Sequence, residues 1–454
     1  MKKIFAFTLL SAAIAFTSCG KDDDPVPPVD PVISVEKVEL NKTTLSLDEG
    51  GTETLTVTVT PAGAENKAVT WSTSDAAIAT VSDAGVVTAV KKGTATITAT
   101  SVADKTKTAA CEVTVAEKIR TDAFQNEGEV NGESWEQAYE IASAEQFKIL
   151  AKRINEEEAT WNGKYYKLIA DIDFGADNME EWIPVGNGKS FTGHFDGGDH
   201  ELTGKFIYRG GNCAVFGAIK TGAEIKNLYF AGTVDATEAK EYNFLAGIVA
   251  FSSGGVVMNC HNSADLNGTD QASGIVGRNM GDTKIIACTN SGMITSQKEA
   301  YGIVDNYSDG LVMACVNKGS VTSLEGYAGG ISSGDLVGCI NKGPSIIGDY
   351  YAAGIAATGV PVACWSAATT IQAKNPGAIV GMLMDPSSAC YWKEISGVKG
   401  VGFTFAATTD FASFTGDHPT ADQIAKMNAA WKEAQPDSEY RFNAETGEIE
   451  AIAE

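Results

Sequence analysis

The chain has 454 residues, with 58 acidic against 34 basic side chains and a formal net charge of −24. Such a surface repels phosphate backbones and anionic headgroups, which argues against nucleic-acid binding and leaves divalent cations as acceptable partners. The length allows two or three domains, and 48 glycines point to many turns and strands.

The N-terminus has the layout of an export signal. Lys2 and Lys3 precede an uncharged stretch from Ile4 to Ser18. This stretch is shorter than the roughly 20 apolar residues that are needed to cross a bilayer. Residues 1–18 are therefore expected to be a signal peptide, and their removal leaves 32 basic and 58 acidic residues, a net charge of −26.

The signal ends in a motif for lipid attachment. Residues 16–19, Phe-Thr-Ser-Cys, resemble a bacterial lipobox, which implies that Cys19 receives a diacylglycerol and becomes the new N-terminus. The following residues 21–23, Lys-Asp-Asp, resemble the charged export tag of Bacteroidetes lipoproteins. The resemblance implies a lipid-anchored protein on the cell-surface side of the outer membrane, which contacts the membrane only through this anchor. An ordinary signal peptide with an incidental Cys19 is the alternative.

Residues 19–33 contain the lipidated cysteine and a proline-rich linker. The run Pro-Val-Pro-Pro-Val-Asp-Pro at residues 25–31 favours an extended, stiff conformation. The linker is therefore expected to hold the rest of the chain away from the membrane.

Residues 34–117 alternate apolar and polar side chains in short runs between turn residues, which predicts a small β-sandwich. The runs Val69-Thr70-Trp71-Ser72-Thr73-Ser74 and Gly85-Val86-Val87-Thr88-Ala89, with others in the same order, resemble a bacterial Ig-like domain of group 2. The resemblance implies that Trp71 is a core residue and that the domain is a spacer or an adhesive module. A stalk with no ligand of its own is the alternative.

A helix is predicted near the start of the next region. Apolar residues follow helical spacing from Ser143 to Ile154, with Ser143 as the N-cap and Gln146 as its capping-box partner. We expect this helix to cover one end of a solenoid, because open strand edges would otherwise recruit other chains.

The region after this helix contains a repeat. Gly-Ile pairs at residues 247, 274, 302, 330 and 354 are each followed by a cysteine. Successive cysteines are 24 to 28 residues apart, a period that indicates stacked structural units. The members of this cysteine ladder are Cys260, Cys288, Cys315, Cys339, Cys364 and Cys390.

The positions around each cysteine repeat as well. An apolar residue stands two positions before it, and an asparagine ladder follows two positions after it, at Asn262, Asn290, Asn317 and Asn341. This alternation predicts strands on one face, and coils about 4.8 Å apart would stack equivalent side chains. The expected fold class is all-β: an Ig-like sandwich plus a right-handed parallel β-helix with short helical caps. Leucine-rich repeats have a comparable period and are the alternative.

Earlier coils are less regular. Residues 182–186, 191–204 and 225–234 resemble the GLUG-motif β-helices of bacterial surface proteins, and the likeness runs from about Ser134 to Ala357. The resemblance implies exposure and attachment. The β-helix domain, with its N-terminal helix, is expected over residues 118–400. Residues 401–454, which include a second helical pattern from Thr420 to Trp431, are expected to cap the other end.

Candidate reactive groups are few. Stacked cysteines would lie farther apart than the roughly 3.5–4.5 Å between Cβ atoms in a disulfide, and no C-x-x-C pair suggests a zinc site. His194 and His200 flank the turn at residues 196–199 and could act as acid and base, but these positions match the turn of the resembling family. A β-helical lyase or glycosidase would need clustered carboxylates, for which Asp171 and Asp173, with Asp196 and Asp199 a coil later, are the candidates.

Binding is the expected activity, and the protein is not expected to be an enzyme. Eight aromatic residues could offer a platform for sugars, of which Tyr350, Tyr351, Trp365 and Trp392 are the candidates; edge packing is the alternative. The leading hypothesis is an adhesin that attaches to a host or cell-surface protein or glycan. A glycan-binding protein of a polysaccharide uptake system is the second hypothesis. A monomer without cofactor, except for weakly bound calcium, is expected.

Overall fold

A computed structural model describes residues 32–116, 118–175, 182–239, 244–308, 310–383 and 385–452. These residues form two compact units, one that ends at Lys118 and one that begins at Ile119. Both are built almost entirely from β-strands, so the predicted all-β class, with a sandwich followed by a parallel solenoid, is confirmed. Cys19 and its predicted lipid lie outside the described residues.

The first unit is a β-sandwich. Its core contains Leu55, Ile97, Cys111 and Val113, all fully buried. Trp71 is half-buried and packs over Gly85, where a Cβ atom would lie 2.8 Å from the indole ring. The strands are Lys37–Leu40, Thr44–Asp48, Thr52–Thr54, Val57–Thr60, Val69–Thr73, Ala79–Val81, Val86–Ala89, Gly93–Ser101 and Thr108–Ala116.

The second unit is a parallel solenoid of about nine turns. We name its sheets walls A to D, in the order in which the chain passes through each central coil. Wall A contains Tyr139–Ile141, Tyr165–Leu168, His194–Asp196, Glu224–Lys226, Val256–Met258, Lys284–Ile286, Val312–Met313, Leu336–Val337, Pro361–Val362, Ser387–Ser388 and Thr408–Thr409.

Wall B is the largest sheet and consists of two adjoining columns of strands in the central coils. It contains Ile172–Asp173, Glu201–Ile207, Tyr229–Ala236, His261–Asn262, Asp265–Gly268, Thr289–Asn290, Ile294–Ser296, Val316–Asn317, Val321–Ser323, Ile340–Asn341, Ser345–Ile347, Trp365–Ser366, Thr370–Gln372, Tyr391–Lys393 and Ala412–Phe414.

Walls C and D meet at the Gly-Ile pairs. Wall C contains Asn212–Cys213, Phe244–Ala246, Gln271–Ser273, Glu299–Tyr301, Tyr327–Gly329, Tyr351–Ala353, Ala356–Thr358, Asn375–Leu383 and Lys399–Thr404. Wall D contains Phe216–Lys220, Val249–Ser253, Val276–Asn279 and Val304–Asn306.

A helix covers the first coils, as predicted. Helix α1 spans Ala144–Glu156, and the short α2 spans Glu158–Trp161. Ser143 Oγ accepts a hydrogen bond from the backbone N–H of Gln146. The Gln146 side chain accepts from Ala142, one residue earlier than a capping box requires. Phe147 of α1 packs its ring against the solenoid core 5.9 Å from Phe195, which closes this end.

The six repeat cysteines are buried inside the solenoid as free thiols. Their neighbours two positions earlier point outward, which differs from the predicted shared face. The cause is a left-handed residue directly before each cysteine, which shifts the alternation of side chains by one step. These corner residues, with φ between 49° and 63°, are Asn259, Ala287, Ala314, Gly338, Ala363 and Ala389.

The asparagine ladder runs through the interior. Asn290 Nδ2 donates to Asn317 Oδ1 at 2.8 Å, and Asn317 Nδ2 donates to Asn341 Oδ1 at 2.8 Å. Each Nδ2 also donates to a carbonyl two residues on, at Gly292 and Gly319. The amides therefore satisfy one another and the turn backbone, which is what burial of a polar group requires.

The two repeat signatures of the sequence meet in space. A Cβ atom at Gly302 would lie 2.5 Å from Asn317 Cγ and 2.0 Å from the backbone oxygen of Gly330. A Cβ atom at Gly330 would likewise lie 2.7 Å from Asn341 Cγ. Glycine is therefore required in these Gly-Ile pairs, because any side chain would overlap the ladder that the glycine backbone contacts across the coil. The adjoining isoleucines are fully buried.

The C-terminal region differs from the expected cap of residues 401–454. Residues up to Phe414 still form a solenoid coil, with strands Lys399–Thr404, Thr408–Thr409 and Ala412–Phe414 paired to the preceding coil. Phe403 and Phe405 of this last coil are exposed.

Helix α3, Ala421–Ala434, lies along the side of the solenoid together with the hairpin of Tyr440–Phe442 and Ile449–Ala451. Its Trp431 packs against Gly338, where a Cβ atom would lie 2.5 Å from the indole. The small side chains at the left-handed corners and the outward apolar residues form an apolar stripe on this side of the solenoid. Burial of this stripe stabilises α3 along the side, rather than over the end of the solenoid. The stripe includes Met313, Ala314, Ile340, Ala363, Trp365, Ala389 and Tyr391.

Candidate functional site

Two of the four predicted ligand-binding aromatics are not on a free surface. Trp365 is 1% exposed beneath the C-terminal hairpin, and its Nε1 donates to the Gly447 carbonyl at 3.1 Å. Trp392 pairs with Ser366, the position that continues the asparagine ladder, and packs against the core. Both residues therefore have structural roles: the hairpin covers the outward-facing Trp365, and Trp392 occupies the inward ladder position two residues after Cys390.

Of the other two, Tyr351 begins a strand of wall C and Tyr350 directly precedes that strand. Tyr350 is 51% exposed and Tyr351 is half-buried. Lys374 Nζ lies 4.2 Å from the Tyr350 ring centroid and 2.9 Å from Asp349 Oδ2. This hydrogen bond to Asp349 raises the pKa of Lys374. Tyr350 thus sits in a charged, solvated environment.

Tyr351 belongs to a column of side chains that crosses successive coils. Glu299 pairs with Tyr327, which pairs with Tyr351, and the two tyrosine rings lie 5.5 Å apart. Tyr307, 58% exposed, follows the wall D strand of the coil that contains Glu299. We call the four tyrosines Tyr307, Tyr327, Tyr350 and Tyr351 the tyrosine face.

An ion pair lies beneath one side of the tyrosine face. Arg278 Nε donates to Asp305 Oδ2 at 2.9 Å, and the guanidinium carbon lies 4.1 Å from the Tyr307 ring centroid. Asp305 also accepts from Ser333 Oγ at 2.6 Å. Arg278 and Asp305 occupy one position in adjacent coils of wall D, so the coil period sets their contact. The Arg278 guanidinium therefore packs against the Tyr307 ring.

Burial dominates the electrostatics of this pair. Asp305 is fully buried, and burial raises its pKa to about 6, against the opposing effects of the Ser333 hydrogen bond and the Arg278 charge. Burial also raises the pKa of the neighbouring Tyr301 hydroxyl. Arg278 and Asp305 were not among the sequence candidates. Their spacing of one coil was the signal that could have identified them.

The predicted acid–base candidates do not form one constellation. His194 Nδ1 lies 3.1 Å from Glu224, and its ring stacks on Tyr165 at 4.1 Å. His200 Nδ1 lies 3.0 Å from Asp171. The two histidines therefore pair with different carboxylates, in different sheets.

The early aspartates hold turns. Asp173 accepts from the backbone N–H of Gly175, and Asp196 accepts from that of Gly198. Asp196 also accepts from Asn227 Nδ2 at 2.9 Å. Asp199 has a φ of 59° at a corner of the first coils. These contacts are those of structural turns.

Within the described ranges, no group of three or more His, Cys, Asp or Glu side chains is arranged to hold a metal ion. Across the same ranges, no helix combines the length and the apolar character that a membrane span requires.

Comparison with known families adds one assignment. Residues 34–113 match the family of bacterial Ig-like domains, group 2. This part of the chain is a bacterial Ig-like domain. The resemblance that the sequence showed there is confirmed, while the lipobox, the export tag and the GLUG likeness remain predictions.

The chain is also similar to a protein of known sequence and to a solved structure. A protein of Evansella cellulosilytica named "Putative Gly-rich membrane protein" is 27% identical over an alignment of 157 positions, which covers 26% of this chain and 18% of that protein. The chain thus spans less than a fifth of that relative. The crystal structure of a "putative immunoglobulin A1 protease" from Bacteroides ovatus has 17% identity and a TM-score of 0.41, and covers 72% of this chain and 95% of its own. A likeness at that level supports no argument about activity.

Proposed function

We propose that the protein is a non-catalytic adhesin of the bacterial cell surface, whose solenoid attaches to a protein or glycan ligand. The observation that supports this proposal best is the tyrosine face, where the Tyr327 and Tyr351 rings lie 5.5 Å apart on adjacent coils and Tyr307 and Tyr350 are more than half exposed. Tyrosine gives a large contact area at a small entropic cost, and its hydroxyl adds a hydrogen bond.

The rigidity of the coils beneath supports the proposal. The asparagine amides bond from coil to coil, and the Arg278 side chain, which is paired with Asp305, packs against the Tyr307 ring. A preformed surface binds with little ordering of its own side chains. The long, regular solenoid is therefore suited to holding a ligand across several coils.

The proposal of a non-enzyme rests on how the carboxylates are used. Asp171, Asp173 and Asp196 accept hydrogen bonds that hold turns or neighbouring side chains. Asp305 is buried beneath the tyrosine face and paired with Arg278. A glycosidase of the common type needs two carboxyl groups on either side of one sugar bond.

We further propose the arrangement in the cell. Cys19 would carry the lipid anchor in the outer membrane, residues 25–31 would act as a spacer, and the Ig-like domain would extend the reach of a monomer. No cofactor is proposed beyond weakly bound calcium, and the net charge of −24 argues against nucleic acid as a partner.

A second candidate function is glycan binding for a polysaccharide uptake system. The rings of Tyr327 and Tyr351, 5.5 Å apart on adjacent coils, favour it because a sugar chain could lie along them. The two functions differ in ligand and share the tyrosine face.

A binding experiment tests both functions. Residues 19–454 with Cys19→Ala would be applied to a glycan array and to immobilised cell-surface proteins. Tyr327→Ala with Tyr351→Ala is expected to weaken binding at least about tenfold. Tyr229→Ala, a half-buried tyrosine of wall B, is the matched control. Tight binding to one polysaccharide would select the second function. Release of reducing or unsaturated sugar would contradict the non-enzyme proposal.

The anchor is tested separately. Labelled fatty acid is expected to enter the wild-type protein and not the Cys19→Ala protein. If the Cys19→Ala protein still partitioned with membranes, the lipid-anchor proposal would be wrong.

A further inference from the structure

A polar pocket lies between the last coil of the solenoid and the start of α3. Its volume is about 590 Å³, within the range of roughly 300–1,000 Å³ that is typical of small-ligand sites. The strand Ala412–Phe414 forms one side and the first turns of α3 form the other. The pocket shares no lining residue with the tyrosine face.

One lining side chain has an unused hydrogen-bonding group. Tyr391 is 2% exposed, and its hydroxyl oxygen has no hydrogen-bond partner among the described residues. A buried hydroxyl without a partner is unfavourable, and native structures leave few of them. Burial, and the nearby charges of Asp410 and Asp422, raise the pKa of Tyr391 to about 12, so the hydroxyl keeps its proton at neutral pH. It can therefore donate to a ligand.

Two carboxylates and one amine line the same pocket. Lys426 Nζ lies 3.6 Å from Asp410 Oδ1 and 3.7 Å from Asp422 Oδ2. Both distances exceed those of a close charge-assisted hydrogen bond, and the side chains of Asp410 and Asp422 are 47% and 83% exposed. The three charged groups therefore keep hydrogen-bonding capacity for a ligand. Asp410 is fixed at a left-handed corner, with a φ of 54°.

The pocket also offers an apolar surface. Phe411, which follows Asp410, lines the pocket and is half-buried against the core. A partly exposed ring beside two carboxylates suits a molecule that has hydroxyl groups along its edge and C–H groups on its face.

Other ligand classes fit less well. A phosphate or another anion would meet two carboxylates for one amine. A divalent cation would lack partners, because no group of three metal-ligating side chains was found in the part of the chain that the structure describes. An apolar ligand would bury the charged groups without replacing their hydrogen bonds.

We propose that this pocket binds one neutral saccharide residue, whose hydroxyl groups bond to Asp410, Asp422 and Lys426 and accept from the Tyr391 hydroxyl. This site is independent of the tyrosine face. The two together would let one solenoid hold a glycan at its end coil and a second ligand along its side.

Saturation-transfer NMR tests the proposal with the methyl glycosides of glucose, galactose, mannose and N-acetylglucosamine as probes. Residues 19–454 with Cys19→Ala would serve as the reference protein. We expect transfer to at least one probe. Asp422→Asn should weaken its affinity about tenfold or more, because a charge-assisted bond becomes a neutral one. Asp417→Asn is the matched control, since Asp417 is exposed in the loop that precedes α3 and does not line the pocket.

A second variant separates binding from stability. Tyr391→Phe removes the unpartnered hydroxyl, so its unfolding temperature should stay the same or rise, while affinity for the probe falls about threefold to tenfold. Absence of transfer to every probe would overturn the proposal. So would transfer that Asp422→Asn and Tyr391→Phe leave unchanged, or competition by inorganic phosphate or Ca²⁺. The tyrosine-face variants leave the pocket intact, so they are expected to bind the probe like the reference protein even if they lose cell attachment. The two proposals can therefore fail separately.

Discussion

The inner and outer sides of the solenoid repeat with the same period and differ in how constant their chemistry is. Inside, asparagine recurs at four successive equivalent positions, each amide bonded to the next. Outside, the left-handed corner is asparagine at residues 227 and 259, alanine or glycine from 287 to 389, and aspartate at 410. The corner has one backbone conformation throughout, so its own geometry does not dictate the side chain.

Neighbours explain this difference. Asn262, Asn290 and Asn317 each contact the same three groups: the next asparagine, the turn backbone and the glycine across the coil. The outer corners meet different surroundings along the solenoid. Asn259 donates to Asn227 where both residues are half-buried, whereas Ala314, Ala363 and Ala389 lie in the stripe that α3 and the C-terminal hairpin cover. Repeated chemistry therefore marks repeated surroundings.

The largest expected effect is at the inner contact. Gly302→Ala would place a Cβ atom 2.0 Å from the backbone oxygen of Gly330, which no rotamer change can relieve. We expect a loss of more than about 4 kcal/mol in the free energy of unfolding, measured by urea denaturation. Gly210→Ala is the matched control, because a Cβ atom there meets nothing within 4 Å. Similar losses of unfolding free energy in both variants would show that the contact between Gly302 and Gly330 does not account for the effect.

The next effect concerns the ladder itself. Asn317→Ala would remove the partner of the Asn290 amide and of Asn341 Oδ1, and would leave both the N–H and the carbonyl of Gly319 unpaired. Several buried polar groups would lose their bonds, so we expect a loss of about 3–4 kcal/mol in the free energy of unfolding. Amide hydrogen exchange at Gly319 should accelerate in the same variant. Unchanged exchange there would contradict the role of the ladder.

The repeat itself could be predicted from the sequence, and its contacts across the coil could not. The spacing of Cys260, Cys288 and Cys315 gave the coil length, and Asn290 and Asn317 gave a ladder inside it. The contact between the Gly-Ile pairs and the asparagines depends on which corners face each other. That relation follows from the bends at the corners, which spacing along one chain does not encode.

The same limit explains the errors in the candidate site. Alternation predicts which side a residue faces only while the strand is unbroken. A left-handed corner before each cysteine interrupts the alternation, so the residues two positions earlier face outward. Trp392 stands two residues after Cys390 and therefore takes the inward ladder position. Trp365 does face outward, but α3 and the hairpin cover it. Helix α3 was predictable from its own periodicity, and its resting place was not.

On the outer side, the buried Asp305 should make stability depend on pH. Burial raises its pKa from 3.8 to about 6, while Arg278 and Ser333 oppose this and Glu299 adds to it. Between about pH 4 and 6 the folded protein therefore holds more protons at this site than the unfolded chain does. Asp305 therefore contributes stability at low pH. This contribution falls by at most about 3 kcal/mol as the pH rises through about 6, and at higher pH it stays constant.

Urea denaturation from about pH 4 to pH 7 would measure this effect in the wild type and in Asp305→Asn. The variant cannot titrate at residue 305, so its stability should fall less steeply over this interval. Parallel curves for the two proteins would mean that Asp305 has an ordinary pKa and that the outer side tolerates the pair without cost.

The smallest expected effect is at an outer corner. Asn259→Ala keeps the left-handed conformation that alanine already adopts at residues 287, 314, 363 and 389. It removes the bond from Asn259 Nδ2 to Asn227 Oδ1 at 2.9 Å and the longer one between Asn259 Oδ1 and His261 Nε2 at 3.3 Å, both of them only part-buried. We expect a loss of less than about 1 kcal/mol, compared with Asn317→Ala under the same conditions of urea denaturation. Equal losses at Asn259 and Asn317 would mean that the corner side chain, rather than its surroundings, stabilises the coil. A small loss of stability for Asn259→Ala alone would mean that the side chain at an outer corner can change at little cost. One side of the solenoid could then acquire the apolar stripe that binds α3, and another the carboxylate of Asp410 in the pocket.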